Sequence, residues 1–269
     1  MPLAVCATPI GNLGDVTLRV LEELREADVV LCEDTRHTRL LLDRHGVSAR
    51  LLSLHEHNEA VRAAEILPRL QAGERVALVS DAGMPGISDP GGRLVRAALA
   101  AGVPVSVLPG PSAVETALVA SGLVGERYQF VGFLPRRAGE LAALWEELRG
   151  TAFPVVAFES PRRLSASLAS LAEALPGREV AVCRELTKRF EEVVRGPAEE
   201  LAGRFAEAPK GEITLVIGPA TGGADGAALS EAQQAVSDLV AAGTPRKAAV
   251  EVVARLTGLP RNELYRSTL

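Results

Sequence analysis

Aromatic residues are scarce in this 269-residue chain, with six Phe, two Tyr and one Trp. The core must therefore be built from Ala, Val and Leu, and no run of rings offers itself for stacking-driven single-strand binding. Lysine is scarcer still, three residues beside twenty-six arginines, a bias that lowers the weight of any single Arg as a signal. The three cysteines, Cys6, Cys32 and Cys183, lie far apart in apolar runs and form no CxxC pair. That spacing excludes a disulfide framework and reads as the reduced thiols of a cytoplasmic protein. No basic stretch precedes an apolar one at the start, and no apolar segment nears the roughly 18 to 20 residues of a membrane span, so neither export nor a membrane is expected. Excess positive charge is also missing: the formal charge is −5. This argues against wholesale coating of a polyanion but leaves room for a local basic face.

What is present is 47% apolar and 23% charged residues, the balance of one large or two modest globular domains. Short Val- and Leu-rich runs alternate with helical periodicity. Strands are expected at 3–7, 29–32, 51–54, 76–80 and 105–108, with helices at 16–27, 35–44, 58–71 (capped by Asn58) and 91–101. Such alternation implies a mostly parallel, Rossmann-like sheet covered on both faces. A second series from Ser112 has strand candidates at 128–132, 155–158, 180–185, 192–195 and 213–217 with too few helices between them for parallel crossovers, so a mixed sheet is expected. The boundaries read as an α/β domain over 1–112, a second over 113–220, a glycine-rich linker over 221–228 and a tail of three short helices over 229–269.

Three loops follow strand ends, where doubly wound sheets bind ligands. The first, Thr8 to Asp15, has two glycines without GxGxxG spacing, which a sharp turn alone would explain. The second, Ser80 to Gly92, holds four glycines, two prolines and two aspartates, more than a connection requires. It lets a ligand approach the backbone while Asp81 or Asp89 accepts hydrogen bonds; the bland reading is an Asx-rich turn capping the next helix. Pro109 to Ala113 repeats the design one strand later.

Taken together with ADVVLCEDTRHT from Ala27, LHEHN from Leu54, FVGFLPRR from Phe130, FESPRR from Phe158, CRELTKRFEEVVRG from Cys183 and GEITLVIG from Gly211, these loops resemble the tetrapyrrole methylase superfamily. Within it the chain resembles the bacterial ribosomal RNA small-subunit methyltransferase I family, which 2′-O-methylates a cytidine of 16S rRNA. The resemblance implies two α/β domains of the tetrapyrrole methylase type followed by a helix-turn-helix-like helical tail. It implies S-adenosylmethionine in a cleft between the two domains, with Pro9, Asp81, Gly83, Ile87, Ser112 and Ala113 around it and Phe158, Leu186, Gly211, Glu212, Ile213 and Thr214 holding the adenine. It also implies a homodimer that acts on the small ribosomal subunit. The small-molecule methylases of the superfamily carry different first and second loops, which argues against a corrin or porphyrin substrate; methylation of a tetrapyrrole or other small molecule is the alternative, and a non-enzymatic RNA-binding assembly factor is a third reading.

All four histidines fall between His37 and His57, in runs that follow strands. Clustered ionisable groups at strand ends point to a substrate site. Cys32, His37, His55 and His57 also make a metal site conceivable, yet alternating residues of an extended segment share a solvent face without one, and no metal is expected. Transfer of a methyl group to a ribose hydroxyl needs alignment and a proton acceptor. Glu33, Asp34, His55, Glu56 and His57 are the candidates, with Arg36 placed to hold a phosphate. Arg136 and Arg137, Arg162 and Arg163, and Arg246 and Lys247 of the tail supply local positive charge for RNA.

Overall fold

The structure is a computed structural model that describes residues 2–220, 224–257, 259, 261 and 264. Its first half runs β1 (Leu3–Cys6), α1 (Leu18–Glu26), β2 (Val29–Cys32), α2 (Thr35–Arg44), β3 (Leu51–Ser53), α3 (Glu59–Gln71), β4 (Val76–Leu78), α4 (Gly92–Ala100) and β5 (Val105–Leu108). The five strands form one parallel sheet in the order β3-β2-β4-β1-β5. Alternation along β1 shows why both faces are covered. Leu3 and Val5 pack with Ile66 and Leu70 of α3 and Leu94 and Ala98 of α4, whereas Ala4 and Cys6 pack with Val20, Leu21 and Leu24 of α1 and Leu42 of α2. After β1 the chain crosses one face of the sheet through α1, and after β4 it crosses the other through α4, so the strand ends of β1 and β4 diverge at a switch point.

The second half runs α5 (Ala113–Ser121), β6 (Gln129–Phe133), α6 (Ala138–Leu148), β7 (Val155–Glu159), α7 (Leu164–Ala174), β8 (Glu179–Arg184), β9 (Glu192–Pro197), α8 (Ala198–Arg204) and β10 (Ile213–Ile217). Its sheet has the order β6-β7-β10-β8-β9. Only β6 and β7 pair in parallel; the other pairs are antiparallel. Val180, Val182, Leu215 and Ile217 face Trp145 of α6 and Leu168 of α7. The opposite face, with Ala181, Cys183 and Val216, takes Val114, Ala117 and Leu118 of α5 and also Ile10 from the first half. The expected pair of α/β sheets, parallel and then mixed, is therefore what the chain forms.

Beyond them α9 (Ala224–Ala241) and α10 (Arg246–Thr257) join through Ala232, Val236, Ala249, Val250 and Val253, with Leu264 buried among them. Most of the third expected helix lies outside the described residues, as do 221–223 of the expected linker. From Ala224 that linker is helical instead, because the alanines that follow favour a helix more than the single Gly226 opposes it. Two further expectations change. The helix expected from Val16 begins at Leu18, where the Thr17 hydroxyl accepts from the Val20 N–H at 3.2 Å, after a 3₁₀ turn at Leu13–Asp15. Asn58 stands at the start of α3 without capping it: its Oδ1 accepts from the His55 N–H at 2.8 Å and its Nδ2 donates to the Ser53 carbonyl, so it braces the LHEHN turn.

Candidate active site between the two sheets

The loops that leave β1 and β4 are laced at the switch point. The Thr8 N–H donates to the Gly83 carbonyl at 2.9 Å, the Gly83 N–H returns to Thr8 O at 3.0 Å, and the Thr8 hydroxyl donates to Ser80 O at 3.0 Å. The N-terminus of α4 is capped from α3: Glu59 Oε1 accepts from the N–H groups of Gly91 and Arg93 at 2.9 and 2.8 Å. Neither aspartate of the second loop is needed as that cap. Both Asp81 and Asp89 face a cavity of about 540 Å³ between the two sheets.

The first half lines this cavity with Ile10, the 81–84 and 87–89 segments and Ser112, and the second half with Phe130, Phe133, Phe158, Leu186 and the 211–214 segment. Of the residues expected around the cofactor, Asp81, Gly83, Ile87, Ser112, Ala113, Phe158, Leu186, Gly211, Glu212, Ile213 and Thr214 all line it. Pro9 is buried behind the wall, and its neighbour Ile10 is the residue that reaches the cavity. Lining residues that sequence reasoning passed over include Ser88, Glu115, Tyr128, Phe130, Phe133 and Glu159. Glu159 left a trace in the sequence, a carboxylate closing the apolar run VVAFE. Its side chain is wholly buried, accepts from the Ser160 N–H and the Ser167 hydroxyl, and meets Arg163 Nη1 at 3.3 Å.

Two contacts close the cavity at its Ile10 end. The Asn12 N–H donates to Thr187 Oγ1 at 3.1 Å, and Gly11 lies so close to the second half that a Cβ there would stand 2.8 Å from both Leu186 O and Thr187 Oγ1. Lys188 Nζ bridges Glu185 and Glu212, each at 2.8 Å. Burial alone would lower the Lys188 ammonium, but the two carboxylates outweigh it and raise it. Gly211, at φ +101°, leaves no room for a Cβ beside the Glu185 side chain. The positive-φ residues other than glycine among those described are Ser88, Glu185 and Thr187; Glu185 and Thr187 sit at this junction and Ser88 lines the cavity from the first half, so non-glycine backbone strain among the described residues gathers around the site.

Electrostatics separate the acidic groups. Burial, then the neighbouring Glu33 carboxylate, pushes Asp89 up to about 6, a rise that a hydrogen bond from Ser80 opposes. Glu33 is raised as well, by burial first and by Asp81 next. Asp34 behaves oppositely. The Arg36 guanidinium grips it at 3.1 and 2.7 Å and the Arg36 N–H at 2.8 Å, holding its carboxyl far below the ordinary carboxylate range. Asp34 is thereby the cap of α2, and Arg36, expected to hold a phosphate, is bound to it. None of Glu33, Asp34, Arg36, His55, Glu56 and His57 lines the cavity itself. Asp34 joins them to the cavity, its N–H donating to Asp81 Oδ1 at 3.1 Å. His55 and His57 stand edge to face with ring centres 6.1 Å apart, and His55 Nδ1 is buried with no hydrogen-bond partner among the described residues. No cluster of three or more His, Cys, Asp or Glu able to hold a metal exists among the described residues.

Of the basic candidates, Arg136, Arg137 and Arg162 are exposed on loops at the ends of β6 and β7; Arg137 also pairs with Glu140 at 3.1 Å. Arg163 is committed elsewhere: besides Glu159 it donates to the carbonyls of Leu134 and Pro135, pinning the FLPRR loop. That is a structural use of the side chain within the second half. Lys247 is exposed and Arg246 half-buried at the start of α10. Among the described residues no helix is long and apolar enough to cross a membrane.

Two α/β sheets enclose a ligand-sized cavity at their strand ends. A family model described as tetrapyrrole (corrin/porphyrin) methylases matches residues 2–202, and one described as the RsmI C-terminal HTH domain matches 227–269. The chain is 47% identical over 270 residues to the ribosomal RNA small subunit methyltransferase I of Mesorhizobium japonicum, covering 99% of this chain and 91% of that one. With the protein of the same name from Micromonospora olivasterospora it shares 44% over 267 residues, 98% of this chain and 85% of that one. The solved uroporphyrin-III C-methyltransferase of Thermus thermophilus, complexed with S-adenyl homocysteine, is similar in fold, with a TM-score of 0.56 at 19% identity over 80% of this chain and 96% of that one. The chain belongs to the tetrapyrrole methylase family and, within it, to the ribosomal RNA small subunit methyltransferase I group.

Proposed function

We propose that the protein uses S-adenosylmethionine to methylate the ribose 2′-hydroxyl of a cytidine in the decoding centre of 16S rRNA, in the small ribosomal subunit. The observation that carries this reading is the full-length kinship. Proteins named ribosomal RNA small subunit methyltransferase I match the tail as well as both lobes, while the solved methylases of like fold cover about four fifths of the chain.

The residues of the cavity fit the cofactor. Its cationic sulfonium and ammonium groups suit the end where Asp81 and Asp89 converge. A purine suits the apolar side chains of Phe158, Leu186 and Ile213 beside the main chain of 211–214, where Gly211 leaves the backbone bare. When bound, S-adenosylmethionine supplies an electrophilic methyl group and departs as a neutral thioether. Asp89 would supply the base: its carboxylate would take the proton of the ribose 2′-hydroxyl as that oxygen is methylated, and later give it to water. Asp81 is a positioning residue, held by the Asp34 N–H. Glu33 shapes the field around Asp89, and His55 and Glu56 act in turn on Glu33. The positive charge that grips phosphates comes from Arg136, Arg137, Arg162, Arg246 and Lys247. The working unit is a homodimer, with lobes over 1–112 and 113–220 and the helical tail as a third body.

The test is transfer of labelled methyl from S-adenosylmethionine to small subunits from a strain lacking the gene, followed by digestion to nucleosides. Label in 2′-O-methylcytidine supports the reading; label absent from RNA, or present only in a tetrapyrrole acceptor offered in parallel, overturns it.

A further inference from the structure

Three of the six phenylalanines, Phe130 and Phe133 of β6 and Phe158 of β7, meet on one wall of the cavity. Phe158 stands edge to face with Phe130 and with Phe133, at centroid distances of 5.0 and 5.4 Å. Two of the rings are partly covered, but Phe133 is 61% exposed although it lines the cavity. Its backbone is not loose. The Leu134 N–H donates to Phe158 O at 3.0 Å, the Leu134 side chain is buried, and Arg163 holds the carbonyls of Leu134 and Pro135. A ring fixed in place yet left bare of its own chain presents a π-face to a ligand.

Its position says which ligand. β6 is the edge of its sheet beyond β7, on the side away from β8 and Leu186, so Phe133 lies across the cavity from the Ile10 and Leu186 contact. Its strand runs beside the second loop instead: a Cβ on the neighbouring Gly132 would stand 3.6 Å from Ser88 Oγ, and Ser88, Asp89 and Phe133 all line the cavity. Asp89 follows Ser88, and exposed Arg136 and Arg137 follow Phe133 by three and four residues. That end of the cavity thus carries an aromatic face and a carboxylate suited to a hydroxyl, and the loop that continues from Phe133 carries exposed guanidinium groups suited to phosphate, together the three chemistries of a nucleotide unit within a strand. A ribose in a stacked strand reaches such a recess only if its base leaves the stack.

We propose that the Phe133 ring is the stacking platform for a single nucleobase of the RNA substrate, turned out of its stack into the Ser88–Asp89–Phe133 end of the cavity. The proposal rests on the RNA-methylation reading. It is tested with Phe133→Leu, Phe133→Ala and Phe133→Tyr; the ring is exposed, so little core packing is at stake. Affinity for S-adenosylmethionine is measured by calorimetry, and kcat/KM for unmethylated small subunits at saturating S-adenosylmethionine. The Leu and Ala variants are expected to bind S-adenosylmethionine within twofold of wild type and to lose about 10- to 100-fold in kcat/KM for the subunit, the loss of one base–aromatic stack, while Tyr retains it. Wild-type kcat/KM in the Leu variant overturns the proposal, as does a parallel loss of S-adenosylmethionine affinity, which would make the ring part of the cofactor site. A wild-type protein inactive on subunits overturns the RNA reading itself, before any variant is compared.

Discussion

Asp89 is the residue on which the chemistry turns. A carboxylate is a weak base at its ordinary value, and burial beside Glu33 lifts this one to about 6, where it is ionised at neutral pH yet takes a proton more readily than an exposed aspartate. The rate of methyl transfer should therefore rise with pH through about 6 and level above it. Asp89→Asn should lower kcat by about 10²- to 10⁴-fold, and a pH–rate profile of both proteins checks this. The same shift bears on stability. The folded state holds this proton up to about pH 6 while the unfolded chain releases it near 4, so the group's favourable contribution is complete at low pH and is lost as pH rises through 6. Asp89→Asn should accordingly raise the melting temperature at pH 7.5, with the gain shrinking toward pH 4. Asp34, by contrast, is tied to Arg36, and Asp34→Asn should leave the pH–rate profile unmoved.

Between elements, the decisive contact joins the loop after β1 to the turn after β8. Gly11 has no room for a side chain against Leu186 and Thr187, so Gly11→Ala must push the lobes apart or shift the turn. Overpacking of this kind costs about 1 to 3 kcal/mol, and the variant should melt at lower temperature and bind S-adenosylmethionine at least several-fold more weakly; thermal denaturation and calorimetry measure both. The same contact marks how far local pattern reaches. Helix α2 over Thr35–Arg44 and strand β10 over Ile213–Ile217 fall where periodicity predicts them, because each has one consistent apolar face. The Asn58 cap did not form, since its side chain found the His55 N–H and the Ser53 carbonyl nearer, and two such outcomes look alike in sequence. The clustering of Phe130, Phe133 and Phe158 depends on the pairing of β6 with β7. The meeting of Gly11 with Thr187 depends on how two separate sheets pack, and neither leaves a local periodic signal. Family resemblance indicated most of the cavity wall; it did not reveal Asp89 as the half-buried carboxylate raised by its surroundings or Glu159 as the anchor of Arg163.

For the whole molecule, a net charge of −5 means that RNA must be gripped by local patches. Leu18 and Leu40, on α1 and α2 over one face of the first sheet, are exposed by more than half, apolar surface of the kind that pairing with a second copy is expected to cover. Sedimentation at micromolar concentration should give a dimer. RNA affinity should fall steeply with salt, and Arg136→Ala with Arg137→Ala should weaken it and flatten that dependence while S-adenosylmethionine affinity stays unchanged; filter binding across a salt series reads both. The central claim is that the cavity between the lobes is where the methyl donor and the ribose meet. A crystal structure of the protein with S-adenosylmethionine and an RNA fragment that contains the target cytidine tests it most directly. The account predicts adenine beside Phe158, Leu186 and the 211–214 segment, and the ribose 2′-hydroxyl within hydrogen-bond reach of Asp89. A cofactor bound outside this cavity, or a ribose held away from Asp89, would contradict it.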